Sequence, residues 1–197
     1  MAETGPGRVV YVVGPSGAGK DTLLNGARML LDACRNVHFI QREITRPPDP
    51  NGEDHQPVTE EQFEHRAALG LYALYWRAHG LAYGISAARL AELETGDTAV
   101  MSGSRKSLDM ARDVFSQCIV VHITAPRGIL KARLLARGRE TNEQINERLD
   151  RAATFPVDGD DVIEIVNLDD VDVGIAKLAE VIKSFSPQVL GESSAPL

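Results

Sequence analysis

Gly14-Pro15-Ser16-Gly17-Ala18-Gly19-Lys20-Asp21-Thr22 carries the spacing G-x-x-x-x-G-K. Glycines let such a loop curl until successive N–H groups point inward at phosphate oxygens, and the lysine sets a charge against the β- and γ-phosphates. The chemistry this predicts is that of a nucleoside triphosphate, with Mg²⁺ as its ion. The residue after the lysine is usually Ser or Thr; here it is Asp21. A carboxylate there is a hard oxygen ligand for Mg²⁺, directly or through water. The alternatives are an ion pair with a nearby Lys or Arg, or a cap on the helix that follows.

A second group lies between residues 127 and 151, where seven cations (Arg127, Lys131, Arg133, Arg137, Arg139, Arg148, Arg151) stand against four acids in a chain of formal net charge −7. Arg133 and Arg137 are four apart on one helix face, and Gly138 ends that helix. Thr141 with Gln144 is a capping pattern for the next helix, which carries Arg148. Two helices joined by a glycine turn and aiming guanidinium groups at one gap make a lid over polyphosphate. The plain alternative for each arginine is a solvated basic face. Arg139 and Arg151 are the expected bystanders.

These groups need a scaffold. Residues 8–13 form a short, β-branched run that predicts a buried strand, and 20–31 has helical spacing, so the glycine loop falls between strand and helix, at the positive end of the helix dipole. Further strands are predicted at 37–40, 98–101, 117–123 and 162–166. Helices are predicted at 86–94, 106–115, 127–136, 142–153 and 173–185. The alternation implies a parallel sheet covered on both faces. Residues 42–83 break it: a Pro/Gly/Asp loop, a helix started by the Thr59/Gln62 capping pair, then two short antiparallel strands at 71–77 and 81–83. An insertion here suits an acceptor-binding module.

With loop, insertion and lid in this order, residues 8–185 resemble guanylate kinase and its relatives. The resemblance is carried by Gly14 to Lys20, Thr45-Arg46-Pro47, Gly52-Glu53, Tyr83-Gly84, Arg133-Leu134-Leu135-Ala136-Arg137-Gly138, Arg148-Leu149 and Val166-Asn167. It implies an α/β P-loop kinase with a central parallel sheet covered by helices, an acceptor insertion at about 41–85, a helical arginine lid at about 134–152 and a flexible tail at 186–197. Guanine-reading carboxylates of that family are missing, since Ala73-Leu74-Tyr75-Trp76 has no Glu and Ser102-Gly103-Ser104-Arg105 follows strand 98–101 without an Asp. A pocket without them leaves purine N–H donors unpaired, at about 1–3 kcal/mol each.

Those departures, together with Lys20-Asp21-Thr22, Glu53-Asp54-His55, the run Trp76 to Gly84 and Arg137-Gly138-Arg139-Glu140, resemble the ribose 1,5-bisphosphate phosphokinases of phosphonate catabolism. The resemblance implies γ-phosphoryl transfer from ATP to the 1-phosphate of that sugar, giving 5-phosphoribosyl 1-diphosphate. The other readings are a guanylate kinase acting on GMP and a non-catalytic binding module of the same fold.

Under this resemblance Lys20, Arg133, Arg137 and Arg148 are the catalytic ensemble, without a general base, because the acceptor phosphate is already ionised. Arg46 leads the acceptor contacts, with Arg42 and Arg105 next as bidentate donors. Thr45, Tyr83, Ser102 and Ser104 supply hydroxyls. Glu53 and His55 orient the sugar or a neighbouring arginine, or else His55 is simply solvated. Trp76 is expected in the core rather than on the ligand wall. Asn167 stands beside the adenine or in a plain strand-end turn.

The acidic balance argues against nucleic acid as partner, while a small anionic ligand needs only a local basic patch. Cys34 and Cys118 lack metal-type spacing and read as reduced core thiols. Neither a signal-peptide core near residues 1–7 nor a membrane-length apolar run is present in the sequence, so a cytoplasmic monomer or homodimer is expected.

Overall fold

The computed structural model describes residues 7–48, 53–138, 140–168 and 170–186, without the side chain of residue 151. Arg139, the loop residues 49–52, the Arg151 side chain and the tail from 187 onward lie outside the described residues.

Strand β1 (Arg8–Val13) is the middle of a five-stranded parallel sheet ordered β2-β7-β1-β8-β9, with β2 (Val37–Ile40), β7 (Thr98–Ser102), β8 (Cys118–Thr124) and β9 (Val162–Val166). Both faces of β1 are buried, which is why it reads as a continuous Val/Tyr run. Val10 and Val12 enter a core shared with α1 (Lys20–Leu30), α5 (Arg127–Ala136), α6 (Asn142–Ala153) and α7 (Val171–Phe185). Val9, Tyr11 and Val13 face the opposite core, with α4 (Leu108–Val114) and part of the insertion. The chain leaves β1 toward β2 on one side and adds β8 on the other, so the crevice at the carboxyl end of β1 is the topological switch point.

The insertion is a second sheet, ordered β4-β3-β6-β5, of β3 (Glu43–Ile44), β4 (Gln56–Pro57), β5 (Tyr72–Ala78) and β6 (Leu81–Ser86). The β5–β6 hairpin turns at His79-Gly80, both at positive φ, as a two-residue turn demands. Helix α2 (Glu60–Ala68) opens with the expected reciprocal cap, Thr59 Oγ1 accepting from the Gln62 amide at 3.1 Å and Gln62 Oε1 from the Thr59 amide at 2.9 Å. Phe63 and Tyr72 stack at 4.9 Å to give this lobe its own small core.

Some boundaries moved for local reasons. Helix α3 (Ala87–Ala91) is shorter than 86–94 because Asp97 accepts from the Glu94 amide at 2.9 Å and turns the chain. Residues 105–107 form a 3₁₀ turn before α4, set by Ser104 accepting from the Lys106 amide at 3.3 Å. Helix α7 begins two residues early because Asp170 caps the amides of Asp172 and Val173. The two-residue strands β3 and β4 are too short to leave an alternation in the sequence. Among the described residues, no helix is long and apolar enough to cross a membrane.

Candidate active site

The glycine loop fills the crevice between β1 and α1. Gly19 stands at φ 88°, and α1 starts with no side-chain cap, so its first amides face the loop's hollow. Lys20 Nζ donates to the Gly14 carbonyl at 3.1 Å, which lays the ammonium along the loop. Burial pushes this ammonium below its ordinary 10.5; Asp21 acts against that shift, while Arg42 and Arg105 add to it. Asn167, at the end of β9, is buried and donates Nδ2 to the Ala18 carbonyl at 2.7 Å. A Cβ on Gly19 would stand 2.5 Å from that nitrogen, so loop and brace fit only with glycine. Asn167 therefore fastens the loop from behind, and its own carbonyl accepts from Arg133 at 3.2 Å.

In front of the loop a pocket of about 250 Å³ opens toward the insertion, lined by five cationic side chains, Lys20, Arg42, Arg46, Arg105 and Lys106, and two carboxylates, Asp21 and Glu53. Gly14, Ser16, Tyr83 and Ser104 complete the sequence-expected residues that the fold brings together here; Trp76, His79, Lys106 and Phe155 join them. Arg46 stands out electrostatically: its Nε and Nη2 are buried without a hydrogen-bond partner. Its backbone is held by His55, which is buried rather than solvated, with ring nitrogens 3.0 Å from the Arg46 carbonyl and 2.8 Å from the Glu53 carbonyl.

Arg42 differs from Arg46. Glu53 takes Arg42 in a two-point fork, Nε donating to Oε1 at 2.6 Å and Nη2 to Oε2. Burial works against the Arg42 charge, but Glu53 outweighs it and holds the guanidinium above its ordinary pKa. The Arg42 guanidinium carbon lies within cation–π range of both Trp76 and Tyr83, which stack on each other at 5.4 Å and 4°. Trp76 is thus both buried, as expected, and part of the wall. Thr45 points elsewhere, its hydroxyl accepting from the Ala82 amide at 2.8 Å.

The end of β7 closes the pocket. A Cβ on Gly103 would lie 2.1 Å from Cζ of Tyr11, so the ring of β1 dictates glycine there. Ser102 is buried behind it with its hydroxyl unpartnered, in a recess shared with Asp21 and Glu53. Arg105 lines the pocket but donates Nη1 to the Ala152 carbonyl at 2.5 Å, and Phe155 lies under both Arg105 and Lys106. His122 of β8, on the same sheet face as Val13, has a buried Nε2 without a partner. Burial first, then Arg105, push its pKa below 6.5; Lys20 adds slightly, and Glu164 and Asp158 oppose.

Helices α5 and α6 have the expected bounds, and α6 opens with the Thr141/Gln144 pair. Their arginines do not converge on the pocket. Arg133 reaches the carbonyls of Asn167 and Leu168, Arg148 pairs with Glu140 at 2.8 Å, and Arg137 is exposed at the C-cap of α5. Each bonded guanidinium has taken the nearest acceptor on its own side of the crevice, as a strong multiple donor does. Lys106 and Phe155 were missed from sequence; the adjacency of Arg105 and Lys106 was the available signal for the first, and a lone aromatic after a polar helix for the second.

A Mg²⁺ ion suits this donor set. Among the described residues no group of three or more His, Cys, Asp or Glu forms a cage, and Mg²⁺ is typically held by one or two carboxylates together with substrate phosphates. Asp21 and the unpartnered Ser102 hydroxyl share one recess and offer hard oxygens to such an ion.

The guanylate kinase family description matches residues 6–185. A protein named ribose 1,5-bisphosphate phosphokinase PhnN from Acidiphilium cryptum is 50% identical over 157 residues, covering 80% of this chain and 83% of that one. The protein of the same name from Rhodopseudomonas palustris is 40% identical over 184 residues, covering 93% and 92%. A bifunctional ribose 1,5-bisphosphokinase-thymidine phosphorylase of Roseobacter denitrificans is 42% identical over 90% of this chain, which spans 26% of that longer protein. Among solved structures, guanylate kinase from Anaplasma phagocytophilum superposes with a TM-score of 0.62 at 15% identity, over 94% of this chain and 89% of that one.

Proposed function

This chain belongs to the guanylate kinase family, and from that premise we propose that it is a kinase transferring the γ-phosphoryl group of ATP to the 1-phosphate of ribose 1,5-bisphosphate, giving 5-phosphoribosyl 1-diphosphate and ADP. The observation that carries the acceptor is the pocket beside the loop, where five cations meet two carboxylates in a chain of net charge −7. A ligand with phosphate at both ends fits that balance.

An oxygen of the acceptor 1-phosphate attacks Pγ, and the bond from Pγ to the bridging oxygen of ADP breaks in line. No proton must be removed, so this chain contributes position and charge. The loop amides and Lys20 hold the donor phosphates; Arg46 receives the acceptor phosphate with its unpartnered Nε and Nη2. Arg105 and Lys106 hold the other phosphate, and Ser104 the sugar. Asp21, with Ser102 behind it, would hold Mg²⁺, which would neutralise charge on the phosphates. Arg133, Arg137 and Arg148 reach the transferring group when the lid rotates about Gly138.

ADP release from MgATP, with ribose 1,5-bisphosphate and GMP tested side by side, decides the reading. Faster turnover of the sugar, with 5-phosphoribosyl 1-diphosphate formed stoichiometrically, is expected. Preference for GMP overturns the acceptor assignment and leaves the fold as described.

A further inference from the structure

An acceptor carrying a nucleobase needs a flat apolar face to lie on, and stacking on an aromatic side chain is the usual means. Three aromatic rings line the acceptor pocket: Trp76, Tyr83 and Phe155. Each is already covered. Trp76 and Tyr83 are stacked on each other, and the Arg42 guanidinium lies 5.6 Å and 5.0 Å from their centroids. Phe155 carries Arg105 at 5.8 Å and Lys106 at 5.7 Å. All these distances are within cation–π range.

We propose that Arg42, held by Glu53 over Trp76 and Tyr83, is the specificity-determining residue that shuts nucleobases out of the acceptor pocket. This inference rests on the reading of the acceptor as a sugar phosphate and explains how the site refuses the alternative. Arg42 and Arg46 flank the two-residue strand β3, yet their surroundings assign them opposite tasks. Glu53 occupies two N–H groups of Arg42 and cancels most of its charge, so Arg42 adds little field for a phosphate. What remains is its place against the ring pair, with the guanidinium carbon within 6 Å of both centroids. Among the described residues no carboxylate is paired with Arg46, whose Nε and Nη2 stay unpartnered for an anion. One arginine is a donor and the other a wall. The carboxylate that makes the wall is Glu53, because a guanidinium forked at its edge cannot swing off the rings without breaking two charged bonds.

Removing Arg42 alone would strand the half-buried Glu53 carboxylate, so the test uses Arg42→Ser with Glu53→Gln, and separately Arg42→Lys, which keeps a charge for Glu53 but lacks the flat cover. Trp76 is the chain's single tryptophan and reports directly on its own face. GMP and AMP are titrated without ATP while Trp76 fluorescence is followed, and kcat/KM is measured for GMP and for ribose 1,5-bisphosphate. The wild-type protein is expected to show no quenching by either nucleotide. Both variants are expected to show saturable quenching and to raise the GMP-to-sugar ratio of kcat/KM by about tenfold or more, the scale of one base stacked on one ring. Equal quenching in wild type and both variants overturns the wall, even if the sugar remains the preferred acceptor. So does quenching in the double variant that is absent from Arg42→Lys, which would assign exclusion to charge rather than shape. A wild-type preference for GMP in turnover would instead overturn the acceptor reading, and with it the premise of the wall.

Discussion

The two halves of this site are built from different materials. The donor half is backbone: a glycine loop, the uncapped start of α1, and one lysine bonded back to Gly14. The acceptor half is long side chains drawn from segments far apart in sequence, Arg42 and Arg46 from the insertion, Trp76 and Tyr83 from its hairpin, Arg105 and Lys106 from the end of β7, and Phe155 from beyond the lid. A backbone site fixes what it binds by curvature, and side chains change it little. A side-chain site fixes what it binds by which charges are paired and which are left over, so one substitution redirects it.

If that contrast holds, the largest effect comes from Lys20, the cationic side chain that the loop itself supplies to the donor half. Lys20→Ala is expected to lower kcat by about 10²–10³-fold, the loss typical of one positioned transition-state donor, without lowering the thermal midpoint, since a buried ammonium is removed. A modest loss in the ADP-release assay would break the contrast.

Arg46→Ala sharpens the other half: KM for the sugar rises by about 10- to 100-fold while KM for ATP stays put, as befits the loss of charged hydrogen bonds to one phosphate. Equal rises in both constants would show that the halves are not separable. Asp21→Ala should raise the half-saturating Mg²⁺ concentration by about tenfold at fixed ATP; a superimposable metal titration would assign Asp21 to helix capping instead. Asn167→Ala, which unties the loop from β9, is expected to cost about 1 kcal/mol of stability in urea unfolding and to weaken ATP binding severalfold, with the sugar unaffected.

The smallest effect is a slope. Burial holds His122 below its ordinary 6.5, so the folded chain resists a proton that the unfolded chain accepts. Its contribution is whole above that value and declines as pH falls beneath it. His122→Leu should flatten the dependence of the urea midpoint between about pH 7.5 and about pH 5.5. An unchanged slope would place the acid sensitivity elsewhere.

The sequence made the donor half legible because the loop's geometry is encoded in nine consecutive residues, and strand–loop–helix is local. The strands 8–13, 37–40 and 162–166 and the helices 127–136 and 142–153 were read to the residue, since burial on both faces or one face imposes a clear period. The acceptor half was legible only as a list of residue types. That Arg42 is paired while Arg46 is open depends on Glu53 arriving from across β3 and β4, two-residue strands that leave no pattern. The lid arginines were legible as a cluster, and their directions were not, because a long flexible cation turns to whatever acceptor the tertiary fold puts nearest. Arg105 shows the same limit, since its bond to Ala152 spans 47 residues.

The bond from Asn167 to Ala18 joins positions 149 apart. A chain emerging from the ribosome therefore carries its loop sequence early and acquires the loop's finished curl late, once β9 has docked on the opposite flank of β8. The brace behind the loop is therefore among the last local contacts this molecule completes as it is made.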